Sequence, residues 1–253
     1  RTLVQRGLRV GITAMSHGAI DNLMQAVVDR FAEAGELDQL RAVRKHHSGS
    51  VAEVSYDNDN RRCATGAYDV IGGTAWLFAS AAMRLHPVDV LVVDEAVQLG
   101  LADTLAASIS ASNVILLGDP QQLAQVSKAS HPNRSGISAL EHLLGEGIST
   151  FPAERGVLLD VTWRMHPDVC EFISEVMYEG KLTSHASCHG QTTVAGTGLR
   201  WIRASHTARS TESPEEADIV VDTIEGLIGT DWVDQHGVTR PLTVDDVIVV
   251  TPY

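Results

Sequence analysis

One short segment constrains the fold more than any other: an apolar run at residues 90–93 that leads directly into the carboxylates of Asp94 and Glu95. A continuous apolar run this short, rich in β-branched residues, is typical of a strand buried on both faces in a parallel sheet covered by helices. Ligands bind at the carboxyl end of such strands. Two interpretations of the acidic pair stay open. Either Asp94 holds a hydrated Mg²⁺ while Glu95 activates a water, or the pair caps the N-terminus of a following helix.

The length and composition set the broad class of the protein. A chain of 253 residues can form one large domain or two ordinary ones. A hydrophobic content of 44% with 20% charged residues is typical of a soluble globular protein. Because no apolar run reaches the length of a membrane span and no signal peptide is present, we expect a cytoplasmic protein with no membrane partner. Nothing in the sequence implies an oligomer.

The cysteines indicate reduced thiols. Cys63, Cys170 and Cys188 are odd in number, widely spaced and without a CxxC pair. We therefore expect neither a disulfide framework nor a structural zinc site. The loop that contains His185, Cys188 and His189 superficially resembles a metal site, but three candidate ligands in one loop are weak support for it.

The net charge limits how the chain can bind nucleic acid. A formal charge of −13 argues against general nucleic-acid binding, since neutralisation of phosphates by Lys and Arg supplies most non-specific affinity. Any such site must be local. The sequence opens with Arg1 rather than Met and ends directly after an apolar run at residues 247–250, so we expect a fragment of a longer protein.

Strand and helix patterns alternate along the chain, which indicates an α/β fold. Before residue 157 we predict strands at 8–13, 40–43, 68–71, 90–93 and 114–117, helices at 17–34, 75–85, 101–110 and 137–144, and an exposed loop at 47–62. Beyond it we predict strands at 157–161, 201–203 and 247–250 and helices at 168–178 and 214–228. Residues 131–155 are rich in Gly, Ser and Pro and are interpreted as the connection between two domains.

The strand at 114–117 is predicted to be buried and to end in a polar turn that contains Asp119 and Gln122. Its carboxyl end should lie beside that of 90–93, because parallel neighbours deliver their end residues to one crevice. Asp119 also fits an ordinary Asp-Pro turn. Gln122 has no role in such a turn, which favours a ligand-sensing function.

Six segments, in this order and spacing, resemble the motifs of the superfamily-one helicases of the Upf type. They read VGITAMSHGAIDNLM, VIGGTAW, LVVDEAVQ, VILLGDPQQL, LDVTWRMHP with the later YEGKL, and VIVVTPY. Members of that family are ATP-driven motors that move along single-stranded DNA or RNA. The resemblance implies two RecA-like P-loop NTPase lobes with parallel sheets, both incomplete here, at residues 1–156 and 157–253.

The resemblance implies a role for each residue of a MgATP site. Asp94 would coordinate the Mg²⁺ of MgATP, and Glu95 would orient or deprotonate the attacking water. Gln122, next to Asp119, would sense the γ-phosphate. Arg164 resembles the second-lobe arginine that reaches the same phosphate. Trp163 stands where the family usually has Tyr and would stack on adenine, although a core aromatic is the other interpretation.

The resemblance also implies a path for a nucleic-acid strand, in which hydroxyls and backbone amides contact phosphates. The first lobe would supply Thr13, Ser16, His17 and Thr74, and the second lobe would supply Thr251 and Tyr253. His17 fits an ordinary surface histidine equally well. The basic residues Arg44, Lys45, Arg61 and Arg62 either touch the strand or form a solvated face.

Two family features are absent from the sequence. No GxxxxGK[ST] loop occurs in the 253 residues, and the family's final arginine motif is also missing. We therefore expect ATP hydrolysis by the longer parent protein and none by this fragment alone. Two alternatives remain: a non-catalytic helicase-like module that binds nucleic acid or protein, and the helicase part of a nuclease-helicase whose nuclease domain lies elsewhere in the parent chain.

Overall fold

The computed structural model describes residues 1–123, 132, 136–145, 150–206 and 211–251. The chain divides into two compact units, Arg1–Ile148 and Ser149–Tyr253.

The first unit is built on a six-stranded sheet in which all strands are parallel. The strands are β1 (Val10–Thr13), β2 (Ala42–Lys45), β3 (Ser55–Asp57), β4 (Val70–Gly72), β5 (Val88–Val93) and β6 (Ala111–Leu116). Their order in the sheet is β3-β2-β4-β1-β5-β6. This confirms the predicted α/β fold with a parallel sheet and places β1 and β5 side by side near its middle.

Seven helices accompany these strands in the described part of the first unit. They are α1 (Thr2–Gln5), α2 (His17–Ala32), α3 (Asn60–Ala64), α4 (Ala75–Phe78), α5 (Ala81–Leu85), α6 (Leu101–Ser108) and α7 (Ala139–Leu144), and a 3-10 turn spans Leu37–Gln39. The long helix α2 begins where the Ser16 hydroxyl accepts a hydrogen bond from the backbone N–H of Ala19, an ordinary N-cap.

The core of the first unit covers both faces of β1. Val10 and Ile12 pack in one buried cluster with the apolar side of α2, which includes Met24 and Phe31. The opposite face carries Gly11, where an added Cβ would lie 2.6 Å from a ring carbon of Phe78 on α4. Successive side chains of a strand point to opposite faces, so the sheet is packed on both sides at its centre.

Several predictions for the first unit were wrong in the type, the bounds or the burial of an element. The predicted loop at 47–62 contains β3 and the start of α3, because a polar strand can pair at the edge of a sheet without an apolar pattern. The predicted helix at 75–85 is two short helices, and Ser80 caps the second of them. The strand at 114–117 is not buried: Val114 is 39% and Ile115 41% exposed, since β6 is at the edge of the described sheet, next to β5.

The described residues of the second unit form shorter elements. They are β7 (Val161–Thr162), α8 (Pro167–Met177), β8 (Thr183–Ser184), β9 (Thr192–Thr193), α9 (Pro214–Glu225), β10 (Asp231–Val233) and β11 (Thr239–Pro241), with 3-10 turns at Ala186–Cys188 and Val244–Asp246. Strand β7 pairs in parallel with β8, and β10 pairs antiparallel with β9 and β11.

The helices of the second unit agree with the sequence, whereas its predicted strands do not. The bounds of α8 and α9 lie within three residues of the predicted ones. The segment at 157–161 contributes one residue to β7, and the predicted strands at 201–203 and 247–250 are absent from the described structure. Neither 201–203 nor 247–250 pairs with another strand among the described residues, and a strand requires a partner for its backbone hydrogen bonds.

The remaining expectations concern thiols, metals and membranes. All three cysteines are free and buried, and burial raises the pKa of the Cys63 thiol to about 11. The described residues include no group of three or more His, Cys, Asp or Glu side chains placed to hold a metal ion. Among these same residues, no helix is both long and apolar enough to cross a membrane.

Candidate functional site

The carboxyl ends of all six strands meet along one edge of the sheet, because the strands are parallel. The strand order divides this edge into two halves. Residues that follow β2, β4 and β1 carry hydroxyl, imidazole and basic side chains, including Ser16, His17 and Thr74. Residues that follow β5 and β6 are acidic: Asp94, Glu95 and Asp119. We call these the polar half and the acidic half of the carboxyl edge.

The acidic pair lies in a tight turn at the end of β5. The Asp94 N–H donates to the Thr13 carbonyl at 2.8 Å, and the Asp94 carboxylate accepts from the Glu95 N–H at 3.0 Å. Glu95 has a φ of 49°, in the left-handed region that non-glycine residues rarely adopt. The turn closes where the Gln98 N–H donates to the Glu95 carbonyl at 2.8 Å.

This geometry excludes the interpretation of the pair as a helix cap. Helix α6 begins several residues later, at Leu101, and Gly100 precedes it without a side-chain cap. Asp94 and Glu95 are half-buried, and within the described part of the chain neither forms a salt bridge. Half-buried carboxylates without a cationic partner are costly, so their arrangement fits residues that receive a cation or a proton from a ligand.

The end of β6 lies directly against this turn. The Ala96 N–H donates to the Leu117 carbonyl at 2.8 Å, and an added Cβ on Gly118 would approach the Ala96 nitrogen to 3.0 Å. Glycine therefore permits a close contact of the two strand ends. Asp119, which comes next, joins the same half of the edge.

Asp119 and Gln122 interact with each other. One Asp119 carboxylate oxygen accepts from the Gln121 N–H at 3.0 Å, which is the expected turn interaction. The Gln122 side-chain amide donates to the other oxygen at 3.4 Å. Gln122 is exposed, so its amide is accessible at the edge where the sequence predicted a sensor.

The polar half brings together three of the four first-lobe residues that were predicted to contact a nucleic-acid strand. Ser16 and His17 begin α2 directly after β1, and Thr74 follows the neighbouring strand β4. Thr13 is different. Its side chain is fully buried, and its hydroxyl has no hydrogen-bond partner among the described residues. The prediction of a surface contact through this hydroxyl is therefore wrong. Thr13 is buried because β1 lies between β4 and β5 in the middle of the sheet.

Sequence reasoning missed two features of the polar half. Trp76 is 81% exposed on α4, two residues after Thr74. An indole directly behind the VIGGT segment was a signal that could have been used, since aromatic rings stack on bases of single strands. Arg44 belongs to β2 and is 1% exposed, so the prediction of an accessible basic cluster at 44–45 fails for Arg44. Arg62 is also engaged, in an ion pair with Asp57 at 2.5 Å.

The second unit presents Trp163 and Arg164 beside β7. Trp163 is 64% exposed, which excludes a core aromatic. One face of its indole stacks on His185, with ring centroids 3.4 Å apart and planes 17° apart. The Arg164 N–H donates to the Thr162 hydroxyl, and its guanidinium is exposed and forms no ion pair with the described residues.

The remaining predicted residues lie at the end of the chain. Thr251 is exposed. Tyr253 lies outside the described residues. His185 was a weak metal-ligand candidate. Its Nδ1 instead accepts the Ser187 N–H at 3.2 Å while its ring supports Trp163.

Comparisons with known proteins agree with the motifs. An AAA-domain family model matches residues 61–129, and a second AAA-domain model matches residues 136–253. The chain is 32% identical over 220 residues to a probable helicase of Arabidopsis thaliana, MAGATAMA 3, which covers 74% of this chain and 26% of that protein.

Two further relatives extend the similarity. The DNA-binding protein SMUBP-2 of Mus musculus is 36% identical over 103 residues, which is 40% of this chain and 10% of that protein. The 3'-5' exoribonuclease HELZ2 of Homo sapiens is 26% identical over 212 residues, 74% of this chain and 7% of that protein. The chain thus spans about a quarter or less of the length of these curated relatives. Together with the parallel sheet and the ordered motifs, these matches show that the chain belongs to the superfamily-one helicases of the Upf type.

Proposed function

We propose that this chain forms part of an ATP-driven helicase or translocase that acts on single-stranded DNA or RNA. The observation that carries the proposal is the acidic pair at the end of β5. Asp94 and Glu95 are half-buried, cap no helix and form no salt bridge with the described residues. This arrangement is expected where a carboxylate holds a cation and its neighbour handles a proton.

The donor set of the acidic half fits Mg²⁺ bound to a nucleotide. Mg²⁺ prefers oxygen ligands and is usually held by one or two carboxylates together with substrate phosphates and waters. Asp94 would hold the ion, and three or more protein ligands are not needed for that. When bound, the ion would neutralise part of the negative charge on the phosphates.

The chain's own residues then divide the chemistry of hydrolysis. Glu95 orients the attacking water and accepts its proton. Gln122, whose amide is exposed beside Asp119, reports the presence of the γ-phosphate. Arg164 has an exposed guanidinium, which suits contact with the charge that develops during phosphoryl transfer.

Trp163 is suited to bind the adenine. Because His185 covers one face of the indole, the other face is left for a planar ligand. Offset stacking of two aromatic rings contributes about 0.5–1.5 kcal/mol beyond burial of area. A purine on Trp163 would therefore complete a three-layer stack.

The polar half of the carboxyl edge is proposed to take the nucleic-acid strand. Ser16, His17 and Thr74 offer hydrogen-bond donors for phosphates, and Trp76 offers an exposed ring for a base. The net charge of −13 limits general attraction, so binding depends on these local contacts and should be weak and salt-sensitive. Thr251 and Tyr253 are proposed to contribute from the second unit.

The decisive experiment measures ATP hydrolysis with and without single-stranded DNA or RNA. The 253 residues contain no GxxxxGK[ST] loop, so the assay uses the full-length protein, and the proposal assigns the phosphate cradle to residues outside this chain. Glu95→Gln should lower the hydrolysis rate by about 10²–10⁴-fold, the usual contribution of a positioned base, while ATP binding persists.

A matched control is available in the first unit. Glu53 is exposed and also has a positive φ, 60°, but it precedes β3, which is at the opposite edge of the sheet from β6. Glu53→Gln makes the same chemical change and should leave the rate unchanged. Equal rates for wild type and Glu95→Gln would refute the assignment of Glu95 as the base. Hydrolysis that does not respond to any single strand would refute the motor function.

A further inference from the structure

The polar half contains a buried cation that the proposed function does not use. Arg44 lies on β2 with its side chain 1% exposed. The neighbouring strand makes room for it with glycine, because an added Cβ on Gly72 would come within 3.2 Å of Arg44 Cδ and 2.9 Å of the Met24 sulfur. Burial of a guanidinium is expensive unless its donors are satisfied, so the partners of Arg44 matter.

Three partners surround the Arg44 guanidinium. Its Nε donates to an Asp21 carboxylate oxygen at 2.6 Å, and its Nη1 donates to the Lys45 carbonyl at 3.0 Å. Its Nη2 lies 2.8 Å from Nδ1 of His17. A guanidinium has only donors, so Nδ1 of His17 must accept this hydrogen bond. The His17 imidazole is therefore neutral, with its proton on Nε2.

The surroundings of His17 keep it in that state. Partial burial lowers the pKa of His17, and so do the positive charge of Arg44, the nearby His46 and Lys45, whereas Asp21 acts in the opposite direction. These groups come from β2, from the residue after β2 and from α2 itself. His46 also contacts the His17 ring edge-on, with centroids 4.9 Å apart.

His17 nevertheless remains accessible. It is exposed, and it begins α2 next to Ser16 at the carboxyl edge. The Nε2–H bond of an imidazole points away from the group that is hydrogen-bonded to Nδ1. The Nε2 proton of His17 therefore points away from Arg44. The polar half therefore presents a neutral N–H donor of fixed tautomer.

We propose that Arg44 is a positioning residue, which fixes His17 as a neutral donor of an Nε2–H hydrogen bond to a phosphate of the bound single strand. The inference rests on the proposed strand-binding function and specifies its chemistry. A neutral donor contacts the phosphate without an ion pair. This contact keeps its strength as the pH falls through the range in which an ordinary histidine gains a charge.

The first experiment needs no nucleic acid. Long-range ¹H–¹⁵N NMR spectra of the wild-type chain report the tautomer and the titration of each histidine. His17 should show a proton on Nε2 and a midpoint below its ordinary value of 6.5. A proton on Nδ1, or a midpoint at or above that value, would overturn the role of Arg44, whether or not the protein binds a strand.

The second experiment measures affinity for a fluorescent oligothymidylate between about pH 8 and about pH 5.5. His17→Ala should weaken binding about tenfold, the usual effect of losing a hydrogen bond to a charged group. His17→Gln should retain most of the affinity, because a glutamine amide offers an N–H near the position of Nε2. Equal affinity of wild type and His17→Ala would overturn the phosphate contact.

The role of Arg44 is separated from that of His17 by a double variant. Arg44→Gln removes the positive charge that keeps His17 neutral, so His17 can gain a proton at low pH. The affinity of this variant for the oligothymidylate should therefore rise about three- to tenfold towards low pH relative to wild type. In Arg44→Gln/His17→Gln this added rise should disappear. Identical pH profiles for the single and double variants would overturn the proposal. If the wild-type chain bound no oligonucleotide at any pH, the strand-binding function would fail, and the NMR result would still decide the Arg44–His17 link.

Discussion

The two units contain similar apolar runs, which form parallel strands in the first unit and mostly do not form strands in the second. In the first unit such runs become parallel strands, and Leu91 on β5 is fully buried. In the second unit, Trp201 and Val250 are 91% and 87% exposed, and their segments form no strand among the described residues. Val157 is 88% exposed, and its segment contributes only Val161 to the two-residue strand β7. The difference shows that an apolar run becomes a strand only where neighbours complete its backbone hydrogen bonds.

The difference also affects how each unit holds its candidate functional residues. In the first unit, Asp94 and Glu95 are fixed by two neighbouring strands and a closed turn. In the second unit, the side chain of Trp163 is exposed and stacks on His185. We expect the acidic half of the carboxyl edge to be rigid and the orientation of Trp163 to depend on its stacking with His185.

The largest expected effect concerns matched leucines in the two units. Leu91→Ala should destabilise the first unit by about 2–5 kcal/mol, because it leaves a cavity in the sheet core. Leu159 in the second unit is 81% exposed, and Leu159→Ala should change stability by less than about 0.5 kcal/mol. Urea unfolding of both variants makes the comparison, and similar losses would show that the two units are packed alike.

A smaller effect is expected from matched glycines. Gly11→Ala places a methyl group 2.6 Å from Phe78 and should cost about 1–3 kcal/mol through overpacking. Gly190 in the second unit has open space around its missing Cβ, so Gly190→Ala should lie within about 0.5 kcal/mol of wild type. Thermal unfolding monitored by circular dichroism measures both. A neutral Gly11→Ala would mean that the contact between β1 and α4 relaxes easily.

The smallest effect concerns two Asp–Arg pairs under acid conditions. Arg62 and backbone N–H groups lower the pKa of Asp57 from 3.8 to about 2, and Arg240 holds the pKa of Asp246 in the second unit well below its usual range. A lowered pKa means that the folded state favours the ionised carboxylate. Each pair therefore stabilises the fold fully when the pH is above the ordinary pKa of an Asp carboxyl. For Asp57 that contribution is lost as the pH falls through about 2.

Carboxyl NMR titrations test the two pairs separately. Arg62→Gln should raise the midpoint of Asp57 and leave that of Asp246 unchanged, and Arg240→Gln should do the reverse. Because both pairs are at the surface, high salt should also move each midpoint towards its ordinary value. A midpoint of Asp57 that does not respond to Arg62→Gln would assign the shift to the backbone hydrogen bonds instead.

The sequence was sufficient where local pattern and tertiary context agree. The apolar run before Asp94 predicted β5, and the helical pattern at 17–34 predicted α2, whose buried residues include Ile20, Met24 and Phe31. The expectation that 90–93 and 114–117 are parallel neighbours predicted that Asp94, Glu95 and Asp119 lie at one edge of the sheet. These predictions succeeded because a strand buried on both faces is encoded by a continuous apolar run, and a helix buried on one side by apolar residues at three- and four-residue spacing.

Other features could not be predicted because they depend on distant residues. Arg44 is buried because Gly72 leaves space for it and Asp21 and His17 pair with it, and none of these is adjacent in sequence. Strand β3 is polar and is defined by its pairing with β2. The apolar run at 247–250 matches a strand pattern, yet the pattern carries no information about whether a neighbour is present.

The left-handed conformation of Glu95 has a consequence for how mutations at this position would be tolerated. A non-glycine residue in that region costs about 1–2 kcal/mol, so the chain retains this glutamate at the expense of its own stability. Glu95→Gly would remove the proposed base and also relieve the backbone. We therefore expect such a variant to accumulate at normal or higher levels in a cell, and screens that judge variants by protein abundance would score this functional loss as harmless.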